Sequence, residues 1–318
     1  MQQDPHTTTA TLTLEPTDRL DVQAPPSTLG RWVAAARPKT LLLAATPVLA
    51  GIALAIAETG RLAPLVAAAT LVAAVAIQIG ANLHNDAVDF ERGTDTPDRL
   101  GPPRATAQGW FSARAVRNAA HLAFGLAFLL GVFLVIQGGW PILVVGLASL
   151  IGGYAYTSGP HPIAYGPFGE VYVLAFFGLA SVAGSNYLQT LTLSGPALLL
   201  GLALGLPAAA VLLLNNYRDL ETDRAAGRRT LCHVLGRERA RVLYALLLLL
   251  PLGLVQGARL PGATWPVVGA LPLALILIAR LYRGAHGAAI NAMLGQTGLY
   301  QALLTGLLIG GFALGGRG

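Results

Sequence analysis

Apolar positions in this chain come in long runs, not in the alternating or half-apolar stripes of a soluble fold. Nine such runs can be marked: about 40–57, 63–84, 115–136, 140–156, 171–191, 196–216, 240–257, 264–282 and 295–314. Each is bounded by charges, by Gly/Pro pairs or by both. A helix that crosses a bilayer needs about 20 mostly apolar residues, so the pattern predicts an all-α, multi-pass membrane bundle of about nine helices. The first and fourth runs are short. Residues 1–30 are rich in Thr, Pro, Asp and Gln and lack a basic segment before an apolar core. They read as a disordered cytoplasmic tail, not a signal peptide, followed by one transmembrane domain over 31–318. Small residues recur at helical spacing (Gly201 and Gly205, Gly306 and Gly310), which lets helix backbones approach closely.

Composition agrees. Of 318 residues 54% are hydrophobic and only 11% charged, with a mean hydropathy of +0.60. A soluble domain would carry roughly a quarter charged residues. The single cysteine, Cys232, rules out an internal disulfide and a multi-thiolate metal site. The net charge of +6 invites a nucleic-acid reading, but the positions of the basic residues point elsewhere. With the N-terminus inside, 18 of the 21 Lys and Arg fall in inner segments and only Arg61, Arg259 and Arg317 fall outside. Orientation in the membrane accounts for the excess. The expectation is therefore an integral cell (inner) membrane protein whose N-terminus and acidic loops face the cytoplasm, with no nucleic-acid partner.

Eight of the 15 acidic residues gather in two short stretches: Asp86, Asp89, Glu91, Asp95 and Asp98 after the second run, then Asp219, Glu221 and Asp223 after the sixth. Carboxylates bunched at a membrane mouth repel one another and resist leaving water. A bound divalent cation offsets both costs. Asn82, Asp86 and Asp89 stand at i, i+4, i+7, and Asn215, Asp219 and Asp223 at i, i+4, i+8, so each set shares one face of a continuing helix. Oxygen donors of this kind suit Mg2+, which also takes waters and substrate phosphates. The interleaved Arg92, Arg99, Arg104, Arg218, Arg224, Arg228 and Arg229 are fitted to phosphate. Acid, metal and arginine beside apolar walls describe a pocket for a diphosphate with a greasy tail. A proton- or cation-coupled transporter is the competing reading, although its acids usually stand singly near mid-membrane.

The stretch NLHNDAVDFERGTDTPDRLGPPRATAQGW (82–110) resembles the first Asp-rich motif of the UbiA superfamily of intramembrane prenyltransferases, and NNYRDLETDRAAGRRTL (215–231) resembles the second. The spacing of Asp86, Asp89 and Asp95, the run from Arg99 and the loop YAYTSGPHPIAYGPFGE (154–170) are most similar to the branch acting on 1,4-dihydroxy-2-naphthoate, MenA. ARPKTL at 36–41 looks like the family's approach to its first helix. The resemblance implies nine helices around a central cavity open laterally to lipid. It implies a Mg2+-dependent enzyme that joins a polyprenyl diphosphate to an aromatic acceptor, in the naphthoate case with loss of CO2 and diphosphate. Another acceptor, such as 4-hydroxybenzoate or homogentisate, is the near alternative.

Carried over residue by residue, the resemblance makes Asn82, Asp86 and Asp89 ligands of one Mg2+ with Asp95 close by, and Asp219 and Asp223 ligands of a second with Asn215 lining the site. Arg92 and Arg228 would contact the diphosphate, Arg228 where many relatives carry Lys, and Lys39 at the mouth of the first helix would reach the substrates. An aromatic face stabilises a nearby cation, which makes Tyr154 the preferred candidate over Tyr156 and Tyr165. By helical geometry His84 points away from the Asn82–Asp86–Asp89 face. His161 is a candidate for fixing the acceptor. No Walker-type glycine loop indicates ATP.

Overall fold

The computed structural model describes residues 27–94, 101–258, 260 and 264–315. Residues 1–26 of the expected 1–30 tail and the predicted ligand Asp95 lie outside the described residues, and the end of that tail is helical, because Ser27 caps a helix that begins at Thr28. A short helix, α1 (Thr28–Ala36), leads into α2 (Pro38–Thr59), α3 (Pro64–Glu91), α4 (Ala113–Gly138) and α5 (Trp140–Ala155). A rod over Gly169–Thr190 comprises α6 (Gly169–Val173), a π-helical stretch (Leu174–Ala180) and α7 (Ser181–Thr190). Then come α8 (Gly195–Arg218), the short α9 (Leu220–Ala225), α10 (Leu231–Gly257), α11 (Leu271–Tyr282) and α12 (Ala288–Gly315). Among the described residues there is no strand.

Among the described residues eight helical spans are long and apolar enough to cross a membrane, counting the Gly169–Thr190 rod as one and joining α11 to the 3-10 stretch Trp265–Ala270 that precedes it. The ninth predicted element, Trp140–Ala155, has 16 residues and is shorter. All nine apolar runs therefore appear as helices, and the fourth is short in the structure as in the sequence. Local chemistry sets the ends. Proline, which has no N–H to leave unsatisfied at a first turn, opens α2, α3 and α5. Ser112 and Ser194 cap α4 and α8 through their hydroxyls. α10 is broken at Gly236 (φ 74°), so its apolar run begins several residues after the helix does.

α2 and α8 are the most enclosed spans. α8 packs on α10, α12 and the π-helical stretch; α2 packs on α7 and α12; α3 lies along α4. Close approach is obligatory where α8 meets the π-helical stretch: a Cβ on Gly178 would lie 2.4 Å from the Gly201 carbonyl oxygen and 2.7 Å from the Gly205 Cα. The Gly201/Gly205 pair thus does what its spacing suggested, whereas Gly306 and Gly310 have nothing within 4 Å. Pro47 inside α2 cannot donate to the carbonyl of Leu43, one turn back. In its place the buried Gln301 of α12 donates to that carbonyl at 3.2 Å.

Candidate active site

The two acidic motifs, far apart in sequence, meet at one end of the bundle. Asp89, at the end of α3, is 1% exposed and accepts from Arg228 Nη2 at 3.1 Å and Arg104 Nη2 at 3.0 Å. Arg228 also stands 3.5 Å from Asp223 Oδ1. One guanidinium therefore links the carboxylate of the first motif to that of the second. Its plane lies over the Tyr165 ring at 4.7 Å, and Arg92 approaches the same ring at 5.5 Å. Burial works against charge on Arg228, but Asp89 and Asp223 beside it hold its pKa above the ordinary value.

These groups roof a cavity of about 910 Å3. Its polar end includes Lys39, Asn82, Asn85, Asp89, Asn215, Asp219, Asp223 and Arg228; its walls are apolar side chains of α3, α4, α5 and the π-helical stretch. Along α3 the lining runs from Asp89 to Thr70, roughly 28 Å at the rise of an α-helix. That is close to the thickness of a bilayer's hydrocarbon core. Phe128 and Val132 of α4 and Leu147 of α5 line the cavity and are each about half exposed.

Asn215, Asp219 and Asp223 line the cavity as one group. α8 stops at Arg218, and Asp219 sits in the break before α9. Arg218 grips Asp219 through both carboxylate oxygens (2.7 and 2.5 Å) and bonds Asn215 at 2.9 Å and Asn291 of α12 at 2.5 Å. This fastens the second motif to the last helix. Nearby, Asn216 donates to the buried Glu170 at 2.9 Å. Burial raises the Asp223 carboxyl to about 6, with Arg228 pulling it down and Asp219 pushing it up.

On α3 the phase differs from the one read in the sequence. Asn82 is enclosed, donating to Ala36 O (2.9 Å) and Thr40 Oγ1 (2.8 Å), and it binds α3 to the α1–α2 junction. That junction turns through Arg37, a non-glycine residue at φ 56°, whose guanidinium reaches Asn85 Oδ1 at 3.2 Å. Asn85 donates to Asp89 at 2.9 Å. Gln78, Asn82, Asn85 and Asp89 all line the cavity and Asp86 does not. At about 100° per residue those four fall within an arc of roughly 60°, with Asp86 about 40° beyond its edge. Both Asp86 oxygens are taken up by the following loop: Ala105 N donates to one at 2.9 Å, Thr106 N to the other at 3.2 Å, and Thr106 Oγ1 also donates there.

Arg92 bonds the Thr157 carbonyl at 2.7 Å and does not line the cavity. Tyr154 packs between His84 (4.7 Å) and Phe124 (4.6 Å), outside the cavity wall. The aromatic residues that do face the chamber are Tyr156, Tyr172, Phe128, Phe176 and Phe177. His84 bonds Ser158 at 2.7 Å, and His161 is exposed and off the lining. Lys39 lies at the mouth with its stem beside Gly295. Asn85 and Arg104 were not singled out as site residues from the sequence. The i, i+3, i+7 stripe of Asn82, Asn85 and Asp89 was the signal available for Asn85.

The model of the UbiA prenyltransferase family matches residues 44–311. The chain belongs to that family. It is 36% identical over 297 residues to the 1,4-dihydroxy-2-naphthoate octaprenyltransferase of Mycobacterium tuberculosis, covering 91% of this chain and 99% of that protein. It is 38% identical over 294 residues to the enzyme of the same name from Escherichia coli, covering 89% and 94%. Its fold is similar to that of a UbiA homolog from Archaeoglobus fulgidus bound to DMAPP and Mg2+, with a TM-score of 0.67 at 16% identity over 89% of this chain and 99% of that one.

The donor set of this UbiA site fits a hard cation. Asn85, Asp89, Asp219 and Asp223 offer amide and carboxylate oxygens at the polar end of the cavity. Oxygen donors of this kind are what Mg2+ takes together with waters and phosphate oxygens.

Proposed function

We propose that this chain transfers a polyprenyl group from a polyprenyl diphosphate to 1,4-dihydroxy-2-naphthoate, releasing diphosphate and CO2 and yielding demethylmenaquinol. The observation that carries the reading is the link Asp89–Arg228–Asp223, which places both acidic motifs over the mouth of one long apolar chamber. The names of the mycobacterial and E. coli relatives support the acceptor. The Mg2+ and DMAPP of the A. fulgidus homolog support the donor and cation.

In this reading Asn85, Asp89, Asp219 and Asp223 would hold Mg2+, with Asn82 and Asn215 buttressing them; Asp95, the other ligand expected from the sequence, lies outside the described residues. Bound Mg2+ would neutralise charge on the diphosphate oxygens. Arg104, Arg228 and Lys39 bind and orient that group through charge-assisted hydrogen bonds, and Arg92 acts at one remove through Tyr165. The prenyl C–O bond breaks with its electron pair leaving on diphosphate. The apolar walls exclude the water that would otherwise capture the allylic cation, and Tyr156 and Tyr172 offer it π-faces. The ring carbon bearing the carboxylate attacks C1. The carboxylate then departs as CO2, and its bonding pair restores the aromatic ring, so the step needs no protein base. The polar mouth faces the cytoplasm of a cell (inner) membrane, as the Lys/Arg distribution indicates, with residues 31–318 acting as one domain behind the tail.

Purified full-length protein in detergent, given a prenyl diphosphate, Mg2+ and a panel of acceptors, tests the reading. Diphosphate and CO2 release that requires the naphthoate and stops with EDTA is expected. Release only with 4-hydroxybenzoate or homogentisate overturns the acceptor, and no release with any ring overturns the enzyme.

A further inference from the structure

Asp86 is a buried carboxylate in the heart of the first motif, 1% exposed, yet it does not touch the cavity. Its oxygens receive two successive backbone N–H groups, those of Ala105 and Thr106, together with the Thr106 hydroxyl. The same hydroxyl also donates to the Asp86 carbonyl at 3.2 Å. The chain that supplies these donors is a compact turn. Gln108 N bonds Arg104 O at 2.9 Å, Gly109 N bonds Thr106 O at 3.0 Å, and Trp110 N bonds Ala105 O at 2.9 Å. Ala105 and Thr106 are buried. A carboxylate at the start of such a turn does what an acidic cap does at a helix N-terminus: it satisfies N–H groups that the turn itself leaves open.

The consequence falls on the preceding residue. With Ala105 and Thr106 pinned to α3, Arg104 is directed into the chamber, where it is 6% exposed and bonds Asn85 Oδ1 at 2.5 Å and Asp89 Oδ2 at 3.0 Å. We propose that Asp86 is a positioning residue, not a metal ligand: its carboxylate fixes the Arg104–Thr106 turn against α3 and thereby presents the Arg104 guanidinium to the substrate diphosphate. The inference rests on the prenyl diphosphate reading above. It separates two carboxylates three residues apart: Asp89 faces the cation, and Asp86 shapes the arm beside it.

Charge arithmetic supports the division. Asp89 holds two guanidiniums, those of Arg104 and Arg228. A divalent ion at Asn85 and Asp89 would share those oxygens, and the Arg104 guanidinium beside them stands where phosphate oxygens on that ion would meet it. Asp86 has three donors already on it and no opening toward the chamber.

The test uses full-length protein in detergent and compares Asp86→Asn, Arg104→Gln, the double variant and Asp89→Asn. Mn2+ binding without diphosphate is followed by electron paramagnetic resonance, and binding of a non-hydrolysable prenyl thiolodiphosphate by equilibrium dialysis. Asp86→Asn turns one acceptor into an N–H donor facing donors, so the turn should loosen. Expected are Mn2+ affinity within about twofold of wild type, thiolodiphosphate affinity lowered about tenfold as in Arg104→Gln, and little further loss in the double variant. Thr106→Val, which removes one of the donors and leaves α3 intact, should move thiolodiphosphate binding the same way by a smaller factor. Loss of Mn2+ affinity in Asp86→Asn to the level of Asp89→Asn overturns the proposal, as do multiplicative losses in the double variant. Because both readouts are binding, a wild-type protein that binds the analogue but turns over no naphthoate refutes the acceptor assignment and leaves this comparison decisive.

Discussion

Arg228 Nη2 stands 3.1 Å from Asp89 Oδ1, a carboxylate 139 residues earlier in the chain. Neither group is buried for packing. Asp89 sits between two guanidiniums, Arg228 and Arg104, and loses both partners if it is removed. Asp89→Ala should therefore cost turnover by about 10²-fold or more and stability by about 3 kcal/mol, since uncompensated cations remain inside. Thermal unfolding in detergent and single-turnover assays read the two effects separately. Adding Arg228→Gln should recover part of the stability and none of the turnover; recovery of both would remove Asp89 from the chemistry.

Asp223 sets a pH dependence. Burial lifts its carboxyl from 3.8 to about 6, so the folded chain holds a proton that the unfolded chain gives up. The stability this adds is full below the unfolded value and is lost as pH rises through about 6. A divalent cation must displace that proton, so metal affinity should be level above about 6 and fall toward tenfold per unit below it. Mn2+ titrations on either side of that pH check the shape. Asp223→Asn should bind metal more weakly and show no such inflection; an unchanged inflection would assign it to another group.

Tyr165 is a platform for two arginines, at 4.7 and 5.5 Å from its ring. The ring face carries both contacts and the hydroxyl adds a hydrogen bond with Arg228, so Tyr165→Phe should raise KM for the prenyl diphosphate by about two- to threefold. Tyr165→Leu should raise it several-fold, in keeping with one or two cation–π contacts. Equal effects in the two variants would shift the role to the hydroxyl.

Gly178→Ala should be poorly tolerated, because the new methyl would sit 2.4 Å from the Gly201 carbonyl oxygen. Overpacking of this kind costs about 1–3 kcal/mol, and α8, which carries the second motif, is the helix pushed away. Gly306→Ala, with nothing within 4 Å, is the matched control. Melting temperatures in detergent should drop for the first and hold for the second.

The spans were legible because hydrocarbon admits little besides long apolar helices, and all nine runs appear as helices. The meeting of the motifs at one end was legible from their equivalent depth. Helix rotation was harder. On α3, Asp86 and Asn85 differ by one position, and the donors that claim Asp86 are the backbone N–H groups of Ala105 and Thr106, which have no side-chain signature. On α5, Tyr154 and Tyr156 project about 200° apart. That helix is apolar on every side, so nothing in its pattern distinguished the wall from the chamber. Arg104 lay among several arginines of equal promise, and only the turn that follows it sets it apart.

The length of the cavity lining along α3, from Asp89 to Thr70 and close to the thickness of a hydrocarbon core, bears on traffic. A chamber of that length, set among the acyl chains, lets a long isoprenoid keep its tail in apolar surroundings from supply to release, so the tail never has to be carried through water. Supply and removal then become two-dimensional diffusion, and the rate of the whole cycle should respond to how fluid and how crowded the surrounding leaflet is.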